Sequence, residues 1–267
     1  MWRDTRSRSA LNSLLGLLGL FFAGMITGAV NSVAGGGTLI SFPSLVAFGE
    51  TEIIANATNT AAVWTGSLSS AVGYRKDTFV DRNLFCTLLV PSIIGGLLGA
   101  SVLVITPEAT FTLVVPFLVL FATVLFASRG LFSRKFGSDS SRQEKVSTRG
   151  RIGGAMFQFF VAIYGGYFGA GIGILMMASL SVMGLRDIHK INAIKTPLGG
   201  VVNVTAFIFF ALKGLVVWPL AFIMAIGNII GGYGGARLAK RVNQRFLAYG
   251  IVAIGLLVSA WLLTRAL

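Results

Sequence analysis

The charged residue best placed for chemistry lies inside an apolar stretch. Residues 191–212 read INAIKTPLGGVVNVTAFIFFAL, which is long enough to cross a bilayer, and Lys195 lies close to its start. A charge in a membrane-spanning segment costs about 2.5–3.5 kcal/mol on insertion scales, so it is seldom retained without a use. Lys195 is therefore a candidate counter-charge for an anion. The alternative is that its side chain snorkels to the nearby membrane surface.

Polar residues accompany Lys195 at helical spacing. Residues three, four and eleven apart share a face of a helix. Lys195 thereby joins a polar stripe with Asn192, Thr196 and Asn203. The earlier stretch 55–74 carries a matching stripe, formed by Asn56, Asn59, Thr60 and Ser67. Together the stripes offer amides, hydroxyls and one ammonium, which suit a small oxyanion such as a sulfonate, sulfite or carboxylate. The alternative role of these amides and hydroxyls is hydrogen bonding between helices.

Two glycine-rich breaks interrupt apolar stretches, at 31–37 (NSVAGGG) and at 165–173 (GGYFGAGIG). Backbone groups freed at such breaks must be buried in protein or line an aqueous cavity. Helix ends there also present N–H groups and a positive dipole end to an anion. The predicted anion site therefore includes four residues of the breaks, Asn31, Gly36, Gly37 and Gly171. The alternative is that the glycines only permit close helix packing.

Groups for catalysis and metal binding are missing from the apolar stretches. The sequence has one histidine, His189, in a charged turn, and one cysteine, Cys86, while the acidic residues lie between the apolar runs. Neither a nucleophile–base pair nor a metal-ligand set can be assembled. We therefore expect no enzyme, no catalytic or metal site and no cofactor. Without a carboxylate inside an apolar run, proton coupling is also less expected.

The composition indicates a polytopic membrane protein. The 267 residues are 55% hydrophobic and 12% charged, with a mean hydropathy of +0.82, whereas a soluble domain has about 25% charged residues. The net charge of +13 comes from Lys and Arg in short loops, as on a cytoplasmic membrane face. We expect membrane lipid and not nucleic acid around the protein, which should cross the membrane several times.

The chain contains an internal duplication. Residues 11–128 and 152–264 form two predicted transmembrane repeats, joined by a basic linker at 129–151 that we place in the cytoplasm. The halves align without a gap at an offset of 136 residues, as from Asn56 to Asn192 or from 93–96 to 229–232, both IIGG. Internal duplication is typical of transporters. We expect an all-α polytopic fold with two homologous repeats of four to five helices each.

The broken first segment of each repeat leaves two topologies open. If it crosses the membrane once, there are eight spans and parallel repeats; if it forms a hairpin, there are ten spans and inverted repeats. The distribution of Lys and Arg favours the second topology, although this places the basic residues 1–10 outside. We interpret the apolar run that follows them as the first membrane helix and not as a cleaved signal peptide.

In its polar helices and glycine-rich breaks the chain resembles the TauE/SafE (TSUP) family of sulfite exporters and organosulfonate permeases. The resemblance covers nearly the whole chain through the order and spacing of five stretches, 24–49, 56–75, 165–184, 191–210 and 227–241. It implies an inner-membrane transporter of small, often sulfur-containing anions with two repeats. Lys195 and the Asn-Ala-x-x-Thr pattern fall where the family carries its polar helix segments.

We therefore expect a transporter of small anions, such as sulfite or an organosulfonate, that binds its substrate between the repeats with Lys195 as counter-charge. Export is favoured because an inside-negative potential contributes about 2.3 kcal/mol per charge per 100 mV. Two alternatives stay open, an anion channel and a non-transporting membrane protein that supports assembly or binds a partner. Glycine-rich helix faces would also permit a homodimer.

Overall fold

Ten α-helices make up the part of the chain that the computed structural model describes, residues 2–33, 35–74, 82–136, 148–185, 188–238 and 244–266. The helices are α1 (Trp2–Val33), α2 (Thr38–Phe48), α3 (Glu52–Tyr74), α4 (Arg82–Ile105), α5 (Glu108–Phe136), α6 (Thr148–Tyr167), α7 (Ile172–Val182), α8 (Ile188–Leu212), α9 (Trp218–Leu238) and α10 (Gln244–Ala266). No strand occurs in these ranges, and the predicted all-α fold class is confirmed.

Several predicted connections lie partly outside the described residues. These are the charged turns at 75–81 and 186–187, the basic loop at 239–243, and positions 137–147 of the predicted linker. Helix α5 runs on to Phe136 and α6 begins at Thr148, so both helices enter the range predicted as linker. Helix α1 begins at Trp2, and the residues predicted as a basic tail are therefore helical.

Six of the helices are long and apolar enough to cross a membrane. Their candidate spans are Leu14–Val33, Arg82–Ile105, Glu108–Ser128, Ile191–Leu212, Trp218–Leu238 and Tyr249–Ala266. Large apolar side chains face outward from the bundle; Phe117, Phe160 and Phe222 are each more than 60% exposed. An apolar outer surface of this kind fits a lipid environment and not water. The expectation of a multi-pass membrane protein is confirmed.

Each predicted break is the turn of a helical hairpin. Gly37 lies against Thr27 while the ring of Phe48 lies against Gly16, so α2 runs back along α1. In the second half, Ile172 lies against Gly165 and Met183 against Gly154, so α7 returns along α6 in the same way. Helices α2 and α7 have 11 residues each and reach only part of the way across a bilayer.

Helix directions follow from residue contacts across the bundle. Helix α9 runs parallel to α1, because its residues Gly227, Gly231 and Gly235 lie in order against Phe21, Met25 and Ala29. Helix α3 is also parallel to α9, since Thr65 donates to the Ala225 carbonyl oxygen at 3.3 Å and Gly232 lies against Ser70. Helices α1 and α3 thus run the same way. Each half has five helices, and the first two form a hairpin, which favours the predicted topology with hairpins over the topology with eight spans. The inverted orientation of the repeats stays a prediction.

The contacts that the first half makes with the second have equivalents when the two halves are exchanged. Helix α1 packs on α9 as α6 packs on α4, and α3 packs on α9 as α8 packs on α4. Helices α3 and α8 contact each other, as do α5 and α10. Each half therefore completes the packing of the other, and the two polar helices, α3 and α8, meet where the halves join.

Glycines allow the interlocked helices to approach closely. A β-carbon at Gly231 would collide with the carbonyl oxygen of Met25 on α1, whereas one at Gly234, on the same helix, would meet no atom within 4 Å. We expect Gly231→Leu to lose about 1–3 kcal/mol of stability through overpacking. Gly234→Leu serves as the matched control and should unfold like the wild type. Thermal unfolding in detergent measures both, and equal midpoints for the two variants would contradict this packing.

Candidate functional site

A cavity of about 50 Å³, lined by both polar and apolar groups, lies where the two hairpin turns meet the two polar helices. Its lining comes from α1, the first turn and α2 (Asn31, Gly35, Thr38), from α3 (Val63, Ser67, Ser70), from the second turn and α7 (Gly169, Gly171, Ile172, Gly173, Met176) and from α8 (Lys195, Thr196, Gly199, Asn203). One water occupies about 10–15 Å³ on such a measure. The cavity thus has room for a molecule of about three to five heavy atoms.

The two hairpin turns touch each other beside the cavity. A β-carbon at Gly35 would lie 3.3 Å from the α-carbon of Gly173, and the reverse distance is also 3.3 Å. Gly35 has φ 75°, a left-handed backbone that favours glycine, and Gly171 has φ 77°. The glycines of the breaks therefore do more than permit helix packing, because they let the backbones of the two halves cross at the cavity.

Lys195 lies at this crossing. The residue is only 3% exposed, and its Nζ lies 3.6 Å from the sulfur of Met177 on α7. A β-carbon at Gly35 would lie 3.8 Å from the same Nζ, so the ammonium of the second half reaches the turn of the first. A snorkelling side chain would be exposed at a membrane surface, and Lys195 is not.

The first turn is held by hydrogen bonds from α1. Asn31 Oδ1 accepts from the Gly37 N–H at 2.7 Å, and the Thr27 hydroxyl donates to the Gly37 carbonyl oxygen at 3.0 Å. Gly37 is the N-cap of α2 and has no side chain of its own to cap the helix. Asn31 thus supplies the N-terminal cap of α2 from a distance, and it also lines the cavity.

The second turn is held from both halves. The Tyr164 hydroxyl donates to the Ala170 carbonyl oxygen at 2.6 Å within the second half. Asn56 of α3 donates from Nδ2 to the Tyr167 carbonyl oxygen at 2.9 Å, which ties the first half to the turn of the second. Tyr167 occupies the position equivalent to Asn31, but it contributes a backbone acceptor where Asn31 contributes a side chain.

Removing the Asn56 amide should loosen this connection between the halves. In Asn56→Ala the part-buried Tyr167 carbonyl loses its Asn56 donor, and an unsatisfied buried acceptor costs up to about 1–3 kcal/mol. We expect a lower thermal unfolding midpoint in detergent. Ser101→Ala is the control, because that exposed hydroxyl donates only to Leu97 within its own helix. An Asn56→Ala protein as stable as the control would argue against a structural role for this bond.

Half of the predicted site residues line the cavity. They are Asn31, Ser67, Gly171, Lys195, Thr196 and Asn203. The other six do not line the cavity: Asn56, Asn59, Thr60, Asn192, Gly36 and Gly37. Gly36 faces the ring of Phe126 and Gly37 faces Thr27, so both serve the packing of the first turn. The four polar residues lie on the correct helix faces, about one to two turns nearer the start of each helix than the cavity.

Some lining residues were not predicted from the sequence. Ser70 follows Ser67 by three positions, so the helical period that identified Ser67 also places Ser70 on the cavity face. Gly35 and Gly173 belong to the breaks, but only the observed crossing distinguishes them from their neighbours. Val63 and Met176 are apolar, and nothing in their type separates a cavity wall from a lipid-facing position.

The cavity favours negative charge. Lys195 is the one charged residue among the described lining residues, and the N-termini of α2 and α7 border the space with the positive ends of their dipoles. Two acids, Glu52 and Glu108, begin helices α3 and α5 and do not line the cavity. Glu52 accepts a hydrogen bond from the Thr112 hydroxyl at 3.1 Å. Glu108 accepts one from the Ile53 N–H, also at 3.1 Å. Among the described residues no three His, Cys, Asp or Glu side chains are grouped to hold a metal ion.

Comparison with known proteins gives the family of the chain. The model of the family described as sulfite exporter TauE/SafE matches residues 20–262. A "Probable membrane transporter protein" of Haemophilus influenzae is 27% identical over 242 residues, covering 90% of this chain and 92% of that protein. The "Probable membrane transporter protein YfcA" of Escherichia coli is 28% identical over 254 residues, with coverage of 94% and 90%. "Probable membrane transporter protein YunE" of Bacillus subtilis is 25% identical over 246 residues.

These relatives and the six candidate spans make the chain a multi-pass membrane transporter of the inner (plasma) membrane. The match extends across both halves and includes both hairpin turns and both polar helices. The resemblance seen in the sequence is thereby confirmed, and the chain belongs to the sulfite exporter TauE/SafE family.

Proposed function

We propose that this protein carries small, sulfur-containing oxyanions, sulfite or a small organosulfonate, out of the cell without altering them chemically. One observation supports this above the others. A buried lysine stands in a small cavity where the turns of both halves cross, and the described lining of that cavity holds no acid. A charge buried at membrane depth is retained where it binds or moves an ion.

The groups around the cavity suit an oxyanion. Ser67, Thr196 and Asn203 carry hydroxyl and amide donors, and Lys195 adds an ammonium with its positive charge. Charge-assisted hydrogen bonds to an anionic oxygen are about twice as strong as neutral ones. Sulfite, with four heavy atoms, matches the volume of about 50 Å³, whereas a larger organosulfonate requires the halves to separate.

The direction of transport follows from the membrane potential. An anion leaving a cell that is negative inside gains about 2.3 kcal/mol per charge per 100 mV, so export needs no coupled ion. Motion of one half against the other around a fixed site would expose the cavity to each face of the membrane in turn. The crossing of Gly35 and Gly173 is the contact that such a motion has to change.

Flux of labelled sulfite, sulfoacetate and taurine in proteoliposomes tests this function. We expect saturable flux of at least one of these compounds, and flux of sulfite or sulfoacetate should be driven by an imposed potential in the direction that moves negative charge to the positive side. Unsaturable flux with single-channel currents would instead indicate a channel. No flux of any of the three, from protein that unfolds cooperatively, would contradict transport of sulfur oxyanions and leave partner binding as the alternative to test.

A further inference from the structure

The cavity takes its lining unequally from the two halves. At the offset of 136 residues, three equivalent pairs line it: Gly35 with Gly171, Val63 with Gly199, and Ser67 with Asn203. Lys195 and Thr196 of the second half line it as well, but their counterparts Asn59 and Thr60 do not. The cavity therefore lies off centre, toward the Lys195 end of the junction between the halves.

The opposite end of the junction is closed. Asn59 is 2% exposed and Thr60 is 6% exposed. Thr60 donates to the backbone oxygen of Asn56 at 2.8 Å, and the Asn56 amide in turn holds the second hairpin turn through Tyr167. Asn192, the equivalent of Asn56, is only half-buried at the open end. The two halves therefore present the same helix faces in different states, one closed and one open.

The closed end still contains polar groups that fit a ligand, because the Asn59 amide carries two donors for an anion on Nδ2 beside its acceptor Oδ1. The Oδ1 atom of Asn59 is buried and accepts no hydrogen bond from any residue in the described ranges. Buried polar atoms are nearly always paired, and an exception calls for a specific explanation. A position that is hydrated or occupied in a second conformation provides one.

We propose that Asn59 and Thr60 form a second anion subsite, which opens to the other face of the membrane when the Lys195–Thr196 subsite closes. This inference rests on the proposed function and on the inverted orientation of the repeats. In a transporter with inverted repeats, exchanging the conformations of the two halves converts a site open to one face into a site open to the other. The exchange gives Asn59 and Thr60 the position beside a cavity, at the opposite end of the junction, that is equivalent to the present position of Lys195 and Thr196.

The two subsites differ in charge. The anion meets an ammonium at Lys195 but only a neutral amide at the equivalent Asn59. Loss of a buried charge partner weakens binding by tenfold or more. The half-saturating anion concentration should therefore be lower, by about tenfold or more, on the face to which Lys195 opens.

Cysteine accessibility tests the second subsite. The equivalent variants Thr60→Cys and Thr196→Cys are made in a Cys86→Ser background, which removes the native thiol, and are reconstituted in vesicles. A membrane-impermeant, sulfonate-bearing methanethiosulfonate is then added to either face. We expect Thr196→Cys to react from one face only and Thr60→Cys from the opposite face only. Ala57→Cys, on the same helix as Thr60 and fully buried, is the control and should react from neither.

Reaction of both cysteines from the same face, or a Thr60→Cys protein as unreactive as Ala57→Cys, would overturn the inference. Because labelling does not depend on sulfite being the substrate, a protein without sulfite flux but with the opposite-face pattern would refute only the proposed substrate. A charge exchange gives the second measurement. In Asn59→Lys/Lys195→Asn, the face with the lower half-saturating concentration should be reversed; an unchanged preference would contradict the difference between the subsites.

Discussion

Lys195→Met should lose nearly all saturable anion flux while the protein remains folded. The substitution keeps an unbranched side chain of similar length beside Met177 and removes only the charge and its donors. Loss of a buried charge partner costs about 2–5 kcal/mol, which corresponds to about 30-fold or more in the flux at low anion concentration. Initial rates in proteoliposomes, measured against anion concentration, determine this value.

Two further observations separate a binding role from a structural one. Methionine is unbranched and of similar size to lysine, so the packing beside Met177 is kept in Lys195→Met. The thermal unfolding midpoint should therefore stay close to that of the wild type. Lys195→Arg retains the charge with a bulkier head and should retain part of the flux. If Lys195→Met transports like the wild type, the cavity is not the path of the anion.

Gly199→Val should block flux by filling the cavity. Gly199 lines the space on α8, and a β-carbon there would meet only the Met176 sulfur, at 3.9 Å. The added carbons therefore enter the cavity without displacing backbone, and they occupy much of a volume of about 50 Å³. We expect Gly199→Ala to reduce the flux of sulfoacetate more than that of sulfite, and Gly199→Val to reduce both at least tenfold, the equivalent of about 1.4 kcal/mol.

The neighbouring glycine provides the matched control. Gly200 does not line the cavity, and a β-carbon there would meet Ser67 Cβ at 3.5 Å, an ordinary contact. Gly200→Ala adds the same methyl group to the same helix and should leave the flux near the wild-type value. Similar losses in Gly199→Ala and Gly200→Ala would show that helix α8 tolerates no added bulk, and would remove the evidence for a size limit set by the cavity.

The fold could be predicted well because few structures satisfy its composition. A chain with 12% charged residues and repeated apolar runs of about 20 residues can hardly be anything but a helical membrane protein. The two glycine breaks were also recognisable, since glycine runs are rare inside spanning helices without a reason. That each break is a hairpin could not be decided from the sequence, because an 11-residue apolar helix such as α2 is equally compatible with the second part of a broken span.

The helical period predicted which face of each polar helix carries the candidate site, but not how far along the helix the cavity lies. Asn56, Ser67 and Ser70 share one face of α3, yet only the two serines reach the cavity. Depth depends on where α3 crosses the second hairpin turn, which is a contact between residues 111 apart in the chain, Asn56 and Tyr167. No local pattern encodes such a contact. Lys195 was identified because a buried charge is conspicuous in any apolar stretch.

The position of the bound anion tests most directly whether this cavity is the transport site. Selenite has the shape and charge of sulfite and a heavier central atom, so crystals grown with it locate the anion by anomalous diffraction from selenium. We predict a selenium peak in the cavity between the hairpin turns, with an anion oxygen about 2.7–3.2 Å from Lys195 Nζ. A protein that transports sulfite and places selenite only elsewhere would contradict the assignment of this cavity as the transport site.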